Sequence, residues 1–234
     1  MLCAIHQPNF FPWMGYFNKI YRADRFVYLD NVDYEKSGHS MQCYTNRVSI
    51  VSNGKSVYIY TPLIREHGEQ IINNVKINYS TDWKKDIINS ITVAYDSSPY
   101  WTEIIPHINQ MMLKQFDFIS EQNIYFINYI LNILNIDTPV YSSSELKTQS
   151  ASTERLIELT KRVECDEYMC GGGGDKYQEE DLFDNSGIVL VHQNFKEPVH
   201  KQFSSDSFIK GQSILDALFN CGLRETEDLI KSAE

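Results

Sequence analysis

The apolar run Met1-Leu2-Cys3-Ala4-Ile5 constrains this chain more than any other stretch, because it lacks polar alternation and so reads as a strand buried on both faces. It stops at His6-Gln7-Pro8-Asn9, where polar side chains and turn-forming residues crowd together. Pro12 suits the first turn of a helix, which is predicted to continue through Trp13, Gly15 and Tyr16 to Tyr21 before Arg22-Ala23-Asp24. A second apolar run, Phe26-Val27-Tyr28-Leu29, ends at Asp30-Asn31. Strand, polar loop, helix and strand make a parallel unit, and ligands of open α/β sheets bind beyond the carboxyl ends of parallel strands. His6, Gln7, Asn9, Asp30 and Asn31 are therefore expected to face one crevice, with Tyr16 on the helix that leaves it.

The remainder continues this alternation after an excursion. Tyr34 to Ser40 is polar and turn-rich, as expected of a flap. Cys43–Ile50 and Lys55–Thr61 read as two strands around Ser52-Asn53-Gly54, whose Asn-Gly step favours a tight hairpin. Val75-Lys76-Ile77 suggests a short strand closing the edge of that hairpin sheet. From Thr81 the period lengthens. Ile87, Ile88, Ile91 and Ala94 recur at helical spacing, and further helices are expected from Tyr100 to Met112, disturbed by Pro106, and from Ser120 to Leu134. This helical middle reads as a lid or an insertion. Val140-Tyr141, Glu167–Cys170 and Ile188–Val191 read as strands, helices are expected around Leu156–Val163 and Leu182-Phe183, and Ser213–Asn220 reads as a C-terminal helix. Strands ending at His6, Asp30, Ser142, Gly171 and His192 give an α/β fold with a doubly wound parallel sheet in three layers. Residues 1–234 are expected to form a single α/β domain, with a β excursion over 34–80 and a helical insertion over 81–135.

The segments HQPNFFPWMGYFNKI, RADRFVYLDNV and TNR, then CGGGGDKY, PVHKQF and GQSILDALFNCG, resemble the WbqC-like family, found in bacterial gene clusters for O-antigen and other surface polysaccharides. The resemblance spans nearly the whole chain and implies work on surface-glycan precursors. The chain departs from the family pattern at His200, where a tyrosine is usual, and at Cys170, where a serine commonly precedes the glycines. The order of segments is also similar to nucleotidylyltransferase-like folds, including pantothenate synthetase, but Trp13-Met14-Gly15-Tyr16 stands where their His-x-Gly-His signature is expected.

A net charge of −10 and a pI near 5.1 argue against a nucleic-acid partner, which would require clustered Lys and Arg. The cysteines are odd in number and lack a Cys-x-x-Cys pair, which fits reduced thiols in a cytoplasm. Neither a signal peptide nor a membrane span is expected.

Each candidate residue has a bland reading beside the chemical one. His6 could act as general base or bind an oxyanion, against a histidine merely hydrogen-bonded in a core. Asp30 could orient His6, pair with a substrate amine or cap the following turn. Gly171, Gly172, Gly173 and Gly174, with Lys176 and Tyr177 behind them, invite a phosphate-loop reading, although neither nucleotide-binding glycine signature is present. His192-Gln193 and His200-Lys201-Gln202 repeat the imidazole-amide pairing of His6-Gln7 and could converge on a sugar or nucleotide. Arg47, after Asn46, is the best candidate for a phosphate or carboxylate fork; its bland reading is a surface ion pair. No metal site is expected, since no histidine pair shows ligand spacing, and no cofactor is specified.

These readings add up to an enzyme acting on a nucleotide-linked amino sugar, by N-acyl or N-aminoacyl transfer from an acyl or aminoacyl donor. His6, Asp30 and His200 are its catalytic candidates. Arg47 and the glycine run are expected to hold the phosphates. The alternatives are a nucleotide-sugar binding module without chemistry and an ATP-dependent carboxylate-amine ligase. The oligomeric state is not written in the sequence.

Overall fold

A computed structural model describes residues 1–34, 44–68, 70–171 and 179–233. The N-terminal unit forms as its pattern dictates: β1 (Leu2–His6), α1 (Met14–Arg22) and β2 (Arg25–Tyr28). The chain then makes the antiparallel hairpin β3 (Arg47–Ser52) and β4 (Lys55–Tyr60), a short 3-10 turn (Ile72–Asn74), and three helices, α2 (Trp83–Tyr95), α3 (Trp101–Leu113) and α4 (Ile119–Ile133). It returns through β5 (Val140–Ser142), α5 (Ser143–Leu146), α6 (Ser152–Arg162), β6 (Glu167–Cys170), α7 (Glu180–Asn185) and β7 (Val189–His192) to α8 (Ile214–Ser232).

Five strands form one parallel sheet in the order β5-β2-β1-β6-β7. Winding proceeds outward from β1 through β2 to β5, then restarts on the other side of β1 with β6. That reversal between β1 and β6 is the topological switch point, where helices on opposite faces leave a crevice at the strand ends. The β1–β6 register pairs Ala4 with Met169, so two residues further on His6 stands level with Gly171.

Period-two alternation sorts the central strands between two layers. Cys3, Ile5, Val27, Tyr168 and Cys170 face Ile157, Leu159 and Phe183 of α6 and α7. Ala4, Phe26, Tyr28 and Met169 face the opposite core, where Phe17 and Ile20 of α1 meet Leu218 and Phe219 of α8. Burying each large apolar side chain contributes about 1.5–3 kcal/mol. This core also takes in Ile87, Ile104 and Ile127, so α2–α4 pack into the same core as the sheet.

Three local expectations are corrected. Val75-Lys76-Ile77 does not extend the hairpin sheet, because Ile77 bridges to Leu63 and Lys76 to Phe118 in the connection before α4. The helix over Trp101–Leu113 runs continuously through Pro106, which removes a single backbone donor. The C-terminal helix does not stop at Asn220; it passes a non-helical Gly222 and continues to Ser232. Asn18 of α1 secures that extension by donating to the terminal carbonyls of Ile230 at 2.9 Å and Ala233 at 3.0 Å. The expected hairpin turn does form, with Asn53 at φ 49° and Gly54 at φ 72°, both left-handed as a two-residue turn of matching twist requires. The flap expected over Tyr34 to Ser40 lies, after Tyr34, outside the described residues.

Candidate functional site

The crevice at the switch point is built first from the loop after β1. His6 is partly buried, and its Nδ1 lies 3.1 Å from the Gln7 carbonyl. A carbonyl can only accept, so Nδ1 carries the hydrogen and Nε2 keeps its lone pair. The hydroxyl of Tyr16 donates to the same carbonyl at 3.0 Å, and the Tyr16 ring meets the imidazole edge-on at 4.9 Å. Trp13 stands 5.6 Å from the imidazole and 5.5 Å from the exposed ring of Tyr44. Tyr16, Trp13 and Tyr44 thus make an aromatic wall beside His6 that runs from the buried Tyr16 to the exposed Tyr44. The Tyr44 segment is fixed there by Phe10 N–H donating to the Tyr44 carbonyl, and by the Asn123 amide donating to the carbonyls of both Pro8 and Thr45.

The second component comes from α1. Lys19 is only 3% exposed, and its ammonium donates to the Ile5 carbonyl at 3.0 Å. No carboxylate is bonded to it among the described residues. A Cβ placed on Gly171 would stand 4.0 Å from Lys19 Nζ and 3.9 Å from Gln193 Oε1. Gln193 in turn donates to the Gly15 carbonyl at 2.7 Å and to Asn18 Oδ1 at 3.1 Å, tying the end of β7 to α1. Gly15 allows this approach: a Cβ there would fall 2.6 Å from the Phe195 ring and 2.8 Å from Trp13 Nε1. On the adjoining strand ends, Cys170 Sγ lies 3.3 Å from His192 Nδ1, with the thiol buried and the imidazole exposed.

Burial, and next the nearby Lys19 charge, push the His6 imidazole down to about 4, against a small opposing effect of the Gln7 carbonyl. Burial likewise pushes the Lys19 ammonium down to about 8, while Cys170 and Cys3 oppose the shift. At neutral pH the crevice therefore holds a neutral imidazole with a free lone pair beside a buried cation. The sign of the pH dependence follows. The unfolded chain takes up the His6 proton near 6.5 and the folded chain only near 4, so stability is intact above pH 6.5 and falls on acidification towards 4. The expected loss, discounted for partial solvent contact, is on the order of 2 kcal/mol. Urea titrations at a series of pH values should show it, and His6→Gln should flatten that limb; an unchanged acid limb would contradict the burial account.

The other candidates are distributed as follows. Asp30 is buried, and its carboxylate accepts from Ser143 Oγ at 2.9 Å, Ser144 N at 2.9 Å and Ser144 Oγ at 2.6 Å. These bonds hold Asp30 at the start of α5, more than a hundred residues on, and not on the turn that follows it; His6 is held by the Gln7 carbonyl. Asn31 Oδ1 lies 2.7 Å from Ser143 Oγ in the same clasp and shares its hydroxyl hydrogen with Asp30. Asn9 is buried in the loop after β1, and Asn46 bridges Tyr34 and the Thr61 carbonyl. The Arg47 guanidinium lies 5.3 Å from the centre of the Tyr58 ring, and its Nε is buried without a partner among the described residues. No bond joins it to His6 or Gly171 among the described residues. The three imidazole-amide pairs do not share one environment. His200 Nε2 and Gln202 Nε2 both reach Asp216 Oδ2, at 2.9 Å and 2.8 Å, in a buried network around the start of α8. His192 lies beside Cys170, and Gln193 is bonded to α1. Gly172, Gly173, Gly174, Lys176 and Tyr177 lie outside the described residues. No group of His, Cys, Asp or Glu able to hold a metal ion occurs among the described residues, and none of their helices is long and apolar enough to cross a membrane.

Lys19, Trp13 and Tyr44 were not identified from the sequence. The available signal for Lys19 was its place on α1, three residues after Tyr16 and four before Ala23 on one helical face, where a lysine interrupts a buried stripe.

The comparisons agree with the whole-chain resemblance. The chain is 29% identical over 224 residues to an uncharacterized protein of Mycobacterium tuberculosis, an alignment covering 94% of this chain and 93% of that one. No solved structure matches it. The model of the WbqC-like protein family matches residues 7–228, from the loop after β1 into α8, and the chain belongs to that family.

Proposed function

We propose that this protein modifies a nucleotide-linked amino sugar by N-acyl or N-aminoacyl transfer during surface-glycan precursor synthesis. The glycan setting comes from the family resemblance. The observation that carries the reaction is the tautomer-fixed His6 at the switch point, its Nε2 free beside the aromatic wall. A sugar ring stacks on Trp13 and Tyr44, and its amine attacks the carbonyl carbon of an activated acyl group. As the C–N bond forms, Nε2 takes a proton from the amine nitrogen; the leaving group departs with its electron pair and then receives that proton. An imidazole at about 4 is a weak base, but one cause of its depression is the Lys19 charge, which an anionic substrate neutralises.

That same weak basicity favours a second reading, a nucleotide-sugar binding module in which Nε2 only accepts a hydrogen bond. His6→Ala separates the two. With nucleotide-linked amino sugars and acyl or aminoacyl thioesters, mass spectrometry should find amide product from the wild type. The variant should lose about a hundredfold or more in rate with sugar-nucleotide affinity within threefold. Binding by both proteins without any amide product would establish the module instead.

A further inference from the structure

We propose that the Lys19 ammonium, together with the backbone at Gly171, is the anion subsite of this crevice and takes a phosphate or pyrophosphate group. The inference deepens the reading above, since it uses the same crevice, but it stands on separate observations. An ammonium has three donors, and here a single acceptor, the Ile5 carbonyl, is bonded to it among the described residues. The side chain is almost wholly withdrawn from water, and a buried charge without a counter-charge is unfavourable. The position is not incidental. Nζ lies within reach of Gly171, level with His6 across the reversal between β1 and β6, where parallel sheets take phosphates and where the missing side chain lets a ligand approach the backbone. An oxyanion there supplies both the counter-charge and the missing acceptors. This assigns to Lys19 the role the sequence suggested for Arg47, whose guanidinium instead lies against Tyr58.

Inorganic pyrophosphate is the probe, with acetate and sodium chloride at matched ionic strength as controls. Wild-type protein should show a saturable rise in melting temperature with pyrophosphate alone, because a ligand of the native state stabilises it. Lys19→Met should weaken pyrophosphate binding at least tenfold by calorimetry without lowering the ligand-free melting temperature, since it removes a buried unpaired charge. Lys19→Gln, which keeps a donor for the Ile5 carbonyl, serves where the methionine variant folds poorly and should show the same loss. The inference is overturned by no response in the wild type, by an equal response to the controls, or by a loss below tenfold in a folded variant. A variant that is destabilised yet still binds pyrophosphate would show that Lys19 merely serves the Ile5 carbonyl. The acyl-transfer reading fails separately: pyrophosphate can bind through Lys19 while no amide product forms, and His6-dependent turnover can occur in a protein that ignores pyrophosphate.

Discussion

Asp216→Ala is expected to destabilise the protein by about 3–5 kcal/mol, the largest single effect anticipated here. The carboxylate is 1% exposed and accepts four side-chain donors. Oδ1 receives the Tyr95 hydroxyl at 3.1 Å and the Asn220 amide at 3.2 Å, while Oδ2 receives His200 at 2.9 Å and Gln202 at 2.8 Å. Truncation leaves the Tyr95 hydroxyl and His200 Nε2 without their acceptor in the interior, while the Asn220 and Gln202 amides lose one bond each and keep the Asp216 and Ile209 carbonyls; two orphaned groups at about 1–3 kcal/mol each already exceed the loss of one ordinary hydrogen bond. The network also joins separate parts of the chain, since Tyr95 accepts from Val51 N–H of β3 and Gln202 accepts from Ile209 N–H. Just upstream, the Ser213 hydroxyl donates to the Phe11 carbonyl and Ile214 N–H donates to the Pro12 carbonyl. Loosening α8 should therefore reach the loop that carries His6 and Trp13. Equilibrium urea unfolding checks the prediction, and a loss below about 1 kcal/mol would mean that the four donors find other partners.

Gly222→Ala is expected to cost about 3 kcal/mol, from two sources of similar size. Gly222 sits at φ 77° and ψ 178°, a conformation that side chains rarely adopt, and it lets α8 bend and resume. A Cβ there would also fall 2.5 Å and 2.6 Å from two carbons of the Tyr100 ring. The ring cannot swing away with its backbone, because Tyr100 N–H is bonded to the Phe219 carbonyl one turn before the bend. A double-mutant cycle with Tyr100→Ala separates the causes. Relief of about half the penalty identifies the ring contact, whereas an unrelieved penalty assigns the whole to the backbone. Equal stability of Gly222→Ala and wild type would remove both.

The sheet was legible because its strands are short apolar runs that end abruptly in polar residues, a pattern that survives without knowledge of neighbours. The hairpin was legible for a similar local reason, the left-handed demand met by Asn53-Gly54. Local reading failed where one signal has two structural outcomes. Gly222 looks like a stop, yet here it is a bend, because α1 is present to receive the helix beyond it through Asn18. Val75–Ile77 has strand composition, but which edge it meets depends on where α4 begins. The site residues divide in the same way. His6 was identifiable from its place at a strand end, whereas Lys19 stands out only once α1 is laid against the sheet.

The sequence by itself determined the alternation of strands and helices, the polar crevice loop and the family membership, because each is written in contiguous residues. Only the tertiary structure decided which polar groups are occupied elsewhere. Asp30 is taken by Ser143 and Ser144, and His200 and Gln202 by Asp216, through bonds between residues 14 to 114 positions apart. It alone left Lys19 with a charge and, among the described residues, no counter-charge. Pairing of side chains depends on which surfaces the winding of the sheet brings together, and that winding reverses at the strand ends where His6 and Gly171 stand level.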